Sequence, residues 1–423
     1  MTFPESEACL AHTQSLNPGN DETILIEFDN EGALVTWPRS QSLIDVLNST
    51  DSNYVPEPLI ARTSKGWVTL NDGVFRGSSS SSLSHSELRF RYRHAINAGR
   101  NGRDYSEING LTSKIDGLAE WAKMWPIETE LKFDDTQNKL IEISVTAKNL
   151  PPKHLPGELS PQLETYSLYK PAEYDEATSI SGALVYRTHS EFLTSWQDHE
   201  TSHQMMADLM TLAYGRACRF TIESARRTDD ELIRKGQTVQ QWRDAFAPAA
   251  HRKKAPSEKA STNISPLFHL NETDSNKLEY WLSPRSPWRR ALNIAVSTYF
   301  SGNLTSEMKY INVAIALESL GYSIGRCLSS PKSQLRTFND QLRQVVRLVG
   351  EPTMSIITKS STTDSWITEA GNAYNGLKHA NRKATDWRVA DEMAKQGLAL
   401  IRAWTAIELG VDAEVVHDRL RIH

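Results

Sequence analysis

At 423 residues the chain is long enough for two or three domains, each with its own core. A hydrophobic content of 39% beside 23% charged residues excludes a disordered or fibrous chain and fits a globular one. The formal net charge of -5 excludes a globally basic nucleic-acid binder, so any RNA contact must come from a local patch.

Cys9, Cys218 and Cys327 are widely scattered without paired metal spacing, which suits a reducing compartment. The opening MTFPESEACL has neither a basic start nor an apolar run, so no secretory signal is expected. No run of eighteen apolar residues occurs, so no transmembrane helix is expected and the expected location is cytoplasmic.

Residues 1–22 are polar and read as frayed. Strands are predicted at 24–28 and 33–37 around an Asp29-Asn30-Glu31-Gly32 turn. The pattern repeats at 58–62 and 66–70, with Asn71-Asp72-Gly73 as the next turn. Residues 77–86 read as a low-complexity serine loop, and 88–94 alternate apolar and basic residues as a strand does. Ile108, Leu111, Ile115, Leu118 and Trp121 have helical spacing and predict a helix over 108–125. A hairpin is predicted from 127–133 and 140–147, followed by a proline-rich break at 150–162 and strands at 166–169 and 183–187. A long helix over 191–214 would close on Gly215.

Residues 221–247 read as helical, and 248–265, with His251-Arg252-Lys253-Lys254, as a basic linker. From about 286 the chain becomes a helix series: 288–300, 306–328, 332–349, 364–380 and 386–409. Val313, Leu317, Leu320, Ile324 and Cys327 would form the buried stripe of the second of these. The fold class is therefore α+β. Strand-rich residues 1–220 hold a few helices, 221–285 form a helical connector and linker, and 286–423 form an all-α bundle.

The stretch with the most chemistry ends the helix over 364–380. Trp366, Ala370, Ala373 and Leu377 would face the core, and Asn372, Asn375, His379 and Arg382 would line another face. Two amides, an imidazole and a guanidinium in a row suit a phosphate. Compensation of the helix dipole accounts equally well for His379, Arg382 and Lys383.

Asn375-Gly376-Leu377-Lys378-His379-Ala380 resembles the signature of HEPN domains in ApeA-like proteins. YINVAIALESL at 310–320 and LALIRAWTAIELG at 398–410 are similar to that family's long and closing helices. GWVTL at 66–70, GLAEWAKM at 117–124 and MADLMTLAYGR at 206–216 resemble the ApeA-type N-terminal domain. One departure is plain: the family's arginine is missing, with Tyr374 five places and Asn372 seven places before His379. Arg89 and His94 repeat the spacing, but on a predicted strand where they point to opposite faces.

The resemblance implies a sensing or regulatory N-terminal region and an all-α HEPN bundle. It implies metal-independent cleavage of RNA, such as tRNA or another structured RNA, in an antiviral defence system of the abortive-infection, toxin-like kind. No cofactor and no membrane would be involved, and the HEPN domain would pair as a homodimer. His379 and Asn375 carry over as catalytic residues, with Lys378, Arg382, Tyr374, Asn372 and Glu318 supporting them or RNA binding. Glu318 would orient His379 or an arginine, or else sit at a solvated edge.

Two alternatives stand beside this. A HEPN domain without its arginine would bind RNA or a partner and cut nothing. Separately, His199-Glu200-Thr201-Ser202-His203 is a literal HExxH, the pattern of a zinc-dependent hydrolase: on a helix it places two imidazoles on one face for zinc with Glu200 as general base, and Glu223 could serve as a third ligand. The polar letters around it predict instead a solvent-facing helix with incidental histidines.

Overall fold

The computed structural model describes residues 8–13, 22–29, 31–39, 55–82, 85–99, 102–133, 140–171, 178–234, 236–248, 265–359 and 362–422. Two compact units divide the chain. The first takes residues 1–114, 186–203 and 220–250; the second takes 115–185, 204–219 and 251–423. The architecture is α+β, with a strand-rich first part and a helical last part. Among the described residues no helix is long and apolar enough to cross a membrane.

Strands β1 (Ala8–Thr13), β2 (Thr23–Asp29), β3 (Gly32–Arg39), β4 (Leu59–Thr63), β5 (Gly66–Ser82) and β6 (His85–Gly99) come first. Their order is β6–β3–β2–β1–β4–β5, and β5 pairs back to β6, which closes a barrel. Alternation along β2 sends Ile24, Ile26 and Phe28 inward, where they meet Val35, Leu59, Leu70, Phe90 and Tyr92. Gly32 has φ +125, and a Cβ there would overlap the Tyr92 carbonyl oxygen, so the β2–β3 turn requires glycine.

Three expectations change here. β1 lies within the stretch read as frayed, paired on both edges with β2 and β4. Asn71-Asp72-Gly73 is no turn: β5 runs straight through it, with Asp72 at φ 57 as a local kink. The serine stretch is strand as far as Ser82, since Ser78 pairs with Leu88 and Ser79 with Glu87. A low-complexity strand is held by its partner, and its own letters do not disclose that.

Next come β7 (Glu107–Ile115), helix α1 (Leu118–Ala122), β8 (Ile127–Phe133), β9 (Leu140–Ala147), β10 (Lys153–His154), β11 (Gln162–Lys170) and β12 (Ser179–Ser195). Helix α2 (Trp196–Tyr214) and strands β13 (Phe220–Arg234) and β14 (Gln237–Phe246) follow. In the first unit Thr188 of β12 pairs with Leu111 of β7, Arg226 of β13 with Trp242 of β14, and Ala245 of β14 with Ile96 of β6. The helix predicted over 108–125 is thus β7 followed by the short α1. The helix predicted over 221–247 is the β13–β14 hairpin, turned at Gly236 with φ +78. Residues 191–195 belong to β12 rather than to the long helix. The basic stretch His251-Arg252-Lys253-Lys254 lies outside the described residues.

In the second unit β8 and β9 form the predicted antiparallel hairpin. The helices are α3 (Ser275–Trp281), α4 (Arg289–Phe300), α5 (Ser306–Cys327), α6 (Phe338–Val349), α7 (Glu351–Thr358), α8 (Thr363–Lys378), α9 (Trp387–Glu408) and α10 (Ala413–Ile422). Val313, Leu317, Leu320 and Ile324 are buried on α5 as expected, whereas Cys327 is exposed at its last turn. Buried hydrogen bonds set the position of α8: Tyr310 Oη donates to Ala370 O at 2.7 Å and Trp366 Nε1 to Gln396 Oε1 at 2.6 Å. In the same unit Arg402 donates to the carbonyls of Leu212 and Ala213 at 2.9 and 3.1 Å. A guanidinium there satisfies carbonyls that the end of an α-helix leaves without partners.

Candidate functional site

The C-terminal end of α8 carries the candidate site. Thr362 caps its start by accepting from Ser365 N–H at 3.3 Å. Trp366, Ala370 and Ala373 are buried, so the opposite face must be outward. On it Asn372, Asn375 and Lys378 are exposed; His379 and Arg382, expected on the same helical face, are exposed too but lie past the helix end at Lys378. His379 leaves helical geometry at φ -122, ψ 117, its N–H still bonded to Asn375 O at 3.0 Å. Arg382 N–H then donates to His379 O at 3.0 Å, folding the basic turn back over the imidazole-bearing residue. Asn375, Lys378, His379 and Arg382 are thus all exposed at or just past the C-terminal end of α8.

The loop after His379 is held tightly. Thr385 Oγ1 donates to Ala373 O at 2.9 Å, and a Cβ on Gly376 would lie 2.6 Å from both Lys383 O and Thr385 Oγ1. Gly371 similarly faces the Asn339 side chain of α6, so both glycines serve packing within this bundle. Gly376→Ala is expected to push residues 383–385 off the helix and destabilise the protein by about 1–3 kcal/mol, read as a lower Tm. An unchanged Tm would mean that the loop is free to move.

Tyr374, five places before His379, is not exposed alongside it. It is buried, packs on Phe338 at 5.0 Å between ring centroids, and donates to Glu318 Oε2 at 3.2 Å. Burial first, and the Glu318 carboxylate second, push its phenol up to about 12, so it stays protonated as a donor. The Lys378 ammonium lies 5.2 Å from its ring centroid, a cation–π distance. Glu318 thus pairs with Tyr374, and among the described residues no bond joins it to His379 or to an arginine. Nothing in the residue spacing pairs Glu318 with Tyr374 fifty-six positions away. Thr385 was missed for the same reason.

The HExxH residues are set quite differently from a solvent-facing helix. His199, Glu200 and His203 are all buried in the first unit. His199 Nδ1 and His203 Nε2 share the Thr188 hydroxyl at 2.8 and 3.0 Å, and His203 Nδ1 bonds Ser113 Oγ at 2.6 Å. Burial lowers the His199 imidazole to about 4 and holds His203 well below its ordinary value. Glu200 turns elsewhere, bonding His94 Nε2 at 2.7 Å and pairing with Arg93. His94 also stacks on Trp196 at 4.4 Å. Glu223, the suggested third ligand, pairs with Lys114. A zinc ligand set needs convergent free nitrogens, and both nitrogens of His203 are already bonded. Among the described residues no three His, Cys, Asp or Glu side chains converge to hold a metal.

A family model described as ApeA N-terminal domain 1 matches residues 15–281. Comparison with curated proteins and with solved structures gives no match.

Proposed function

Since the chain belongs to the ApeA N-terminal domain 1 family, we propose that it is an antiviral defence protein whose C-terminal bundle is a HEPN-type, metal-independent endoribonuclease. Family membership supports the defence setting. The nuclease reading extends to residues 286–423, where the observation that carries it is the exposure of His379, Asn375, Lys378 and Arg382 at or just past the end of α8. The N-terminal region senses or regulates, the location is cytoplasmic, and two HEPN domains pair in a homodimer.

The chemistry follows from the residue types. The RNA 2′-oxygen forms a bond to the adjacent phosphorus while the bond from phosphorus to the 5′-oxygen breaks. A proton leaves the 2′-hydroxyl and ends on the 5′-oxygen, so the products are a cyclic phosphate and a free 5′-hydroxyl. His379 moves that proton, because an imidazole can accept a proton at one ring nitrogen and give one up from the other. Asn375 donates its amide to a phosphate oxygen, and Lys378 and Arg382 offset the growing negative charge.

A specific observation favours a second reading, RNA binding without cleavage. Of the two places where HEPN domains would carry arginine, Asn372 is an amide and Tyr374 is committed to Glu318. Losing one charge-stabilising donor can lower a rate by about 10²–10³. The deciding experiment incubates cellular RNA with the protein in excess EDTA, beside His379→Ala. Discrete fragments from the unsubstituted protein alone are the expected result. Equal cutting by both proteins would remove His379 from the chemistry, and RNA retention without fragments would establish the binding reading.

A further inference from the structure

The β8–β9 hairpin of the second unit stands apart from the larger sheet. Among the described residues its two strands pair only with each other. It is anchored at its base, where Lys148 N–H donates to Pro126 O at 2.7 Å and a Cβ on Gly182 would lie 2.6 Å from Pro126 and 3.0 Å from Ile127. Beyond Ile127 every residue of β8 is exposed, as is every residue of β9 except Ser144. A hairpin with no third strand and no covering layer is marginal in water.

The register sorts its side chains by chemistry, because residues directly opposite in an antiparallel pair share a face. On one face Thr129 pairs with Val145, Leu131 with Ile143 and, past a bulge at Ile141, Phe133 with Leu140. On the other Glu128 pairs with Thr146, Glu130 with Ser144 and Lys132 with Glu142, the last two joined as an ion pair at 3.8 Å. Charge is thus confined to one face, and the other is apolar apart from Thr129. Leu131, Phe133, Leu140, Ile141, Ile143 and Val145 are each 41–62% exposed. Six such side chains at about half exposure leave about 500 Å² of apolar surface, the size at which a patch marks an interaction site. Strands acquire this alternation when one face is buried and the other solvated, yet among the described residues nothing buries this face.

We propose that the apolar face of the β8–β9 hairpin packs against the same face of a second copy of the chain, two hairpins stacking as a small sandwich. The face carries no charge by which a different protein would be selected, since Glu128, Glu130, Lys132 and Glu142 all lie on the other side. An uncharged face is its own complement, which is what a two-fold contact between identical chains requires. Stacked sheets interdigitate their side chains about 10 Å apart and leave the outer faces to water, so the acidic side stays solvated. Two such faces bury about 1,000 Å², the area at which a specific interface becomes stable. The contact requires neither RNA nor pairing of HEPN domains, so it stands apart from the nuclease reading.

The double variant Leu131→Lys/Ile143→Lys puts two ammonium groups at the centre of the face. Light scattering of the full-length chain is expected to give an assembly mass that this variant halves, from two chains to one, or from four to two where HEPN domains pair as well. Cysteine cross-linking checks the face itself, in a Cys327→Ser background because Cys327 is exposed. Under copper–phenanthroline oxidation Ile143→Cys should form a disulfide-linked dimer, and Glu142→Cys, on the opposite face, at least tenfold less. A single-chain mass for the unsubstituted protein, a mass unchanged by the double variant, or equal cross-linking at positions 142 and 143 would each overturn the proposal. If the double variant fails to fold, the two cysteine variants decide alone.

Discussion

Arg243→Ala is expected to destabilise the protein by about 3–5 kcal/mol, because it leaves a buried carboxylate without its main counter-charge. Asp230 is buried, and Arg243 grips both its oxygens, Nε to Oδ2 at 2.7 Å and a terminal nitrogen to Oδ1 at 3.0 Å. Tyr105 Oη donates a third bond at 2.7 Å. Burial alone would raise the Asp230 pKa, yet the bonds from Arg243 and Tyr105 outweigh it and hold the carboxyl below its ordinary value. Arg103 reaches Asp230 only at 3.7 Å and is a poor substitute. Tyr105 is itself kept protonated by burial and by Asp230, so its hydroxyl survives as a neutral donor but supplies no charge. Urea unfolding checks the size of the loss. The double variant Asp230→Leu/Arg243→Leu should lose less than Arg243→Ala, since removing both charges leaves none buried alone. A single-variant loss under about 1 kcal/mol would mean that the pair is effectively solvated.

That network illustrates what was and was not legible in the chain. β2 and β3 could be read because one face of each is core and the other is not, so their letters alternate. α5, α8 and α9 could be read because each keeps a long apolar stripe on one side. β7 was mistaken for helix because it is buried at nearly every position, from Ile108 to Ser113, and a strand covered on both faces has no period of two. Its Ile108, Leu111 and Ile115 then matched helical spacing by default. β13 and β14 carry many charges, and Asp230 of one pairs with Arg243 of the other, so charge masked a hairpin that turns at Gly236. The candidate stretch at the end of α8 was legible in part. Asn375 and Lys378 lie one helical turn apart on α8, whereas His379 and Arg382, read as continuing that face, lie past the end of the helix at Lys378. Tyr374 and Glu318 needed the packing of α5 against α8, which spacing does not contain.

His199 and His203 give the second large effect: the first unit should lose stability steeply on acidification below pH 6.5. Both imidazoles are buried and neutral, one lowered to about 4 and the other held well below its ordinary value. Burial is the leading cause for each, outweighing the Asp198 carboxylate near His199, while the two rings further disfavour a second charge beside the first. Above pH 6.5 both folded and unfolded chains carry neutral rings, and the full stability is present. Below it the unfolded chain binds protons that the folded chain refuses, so stability falls at about 1.4 kcal/mol per pH unit for each ring. For His199 alone the loss amounts to about 3 kcal/mol by pH 4. Ordinary carboxylates titrate with unperturbed pKa values of about 3.9–4.3, so the window from 6.5 down to 5 isolates the histidines. Urea midpoints taken across that window should decline for the unsubstituted protein. His199→Gln and His203→Gln, whose amides can still bond Thr188 and Ser113, should each remove about one proton from the slope. Both variants are expected to be less stable at pH 8 but flatter below pH 6.5. A slope unchanged by either substitution would assign the acid sensitivity to other groups, and with it would go the assignment of this pair as neutral structural histidines.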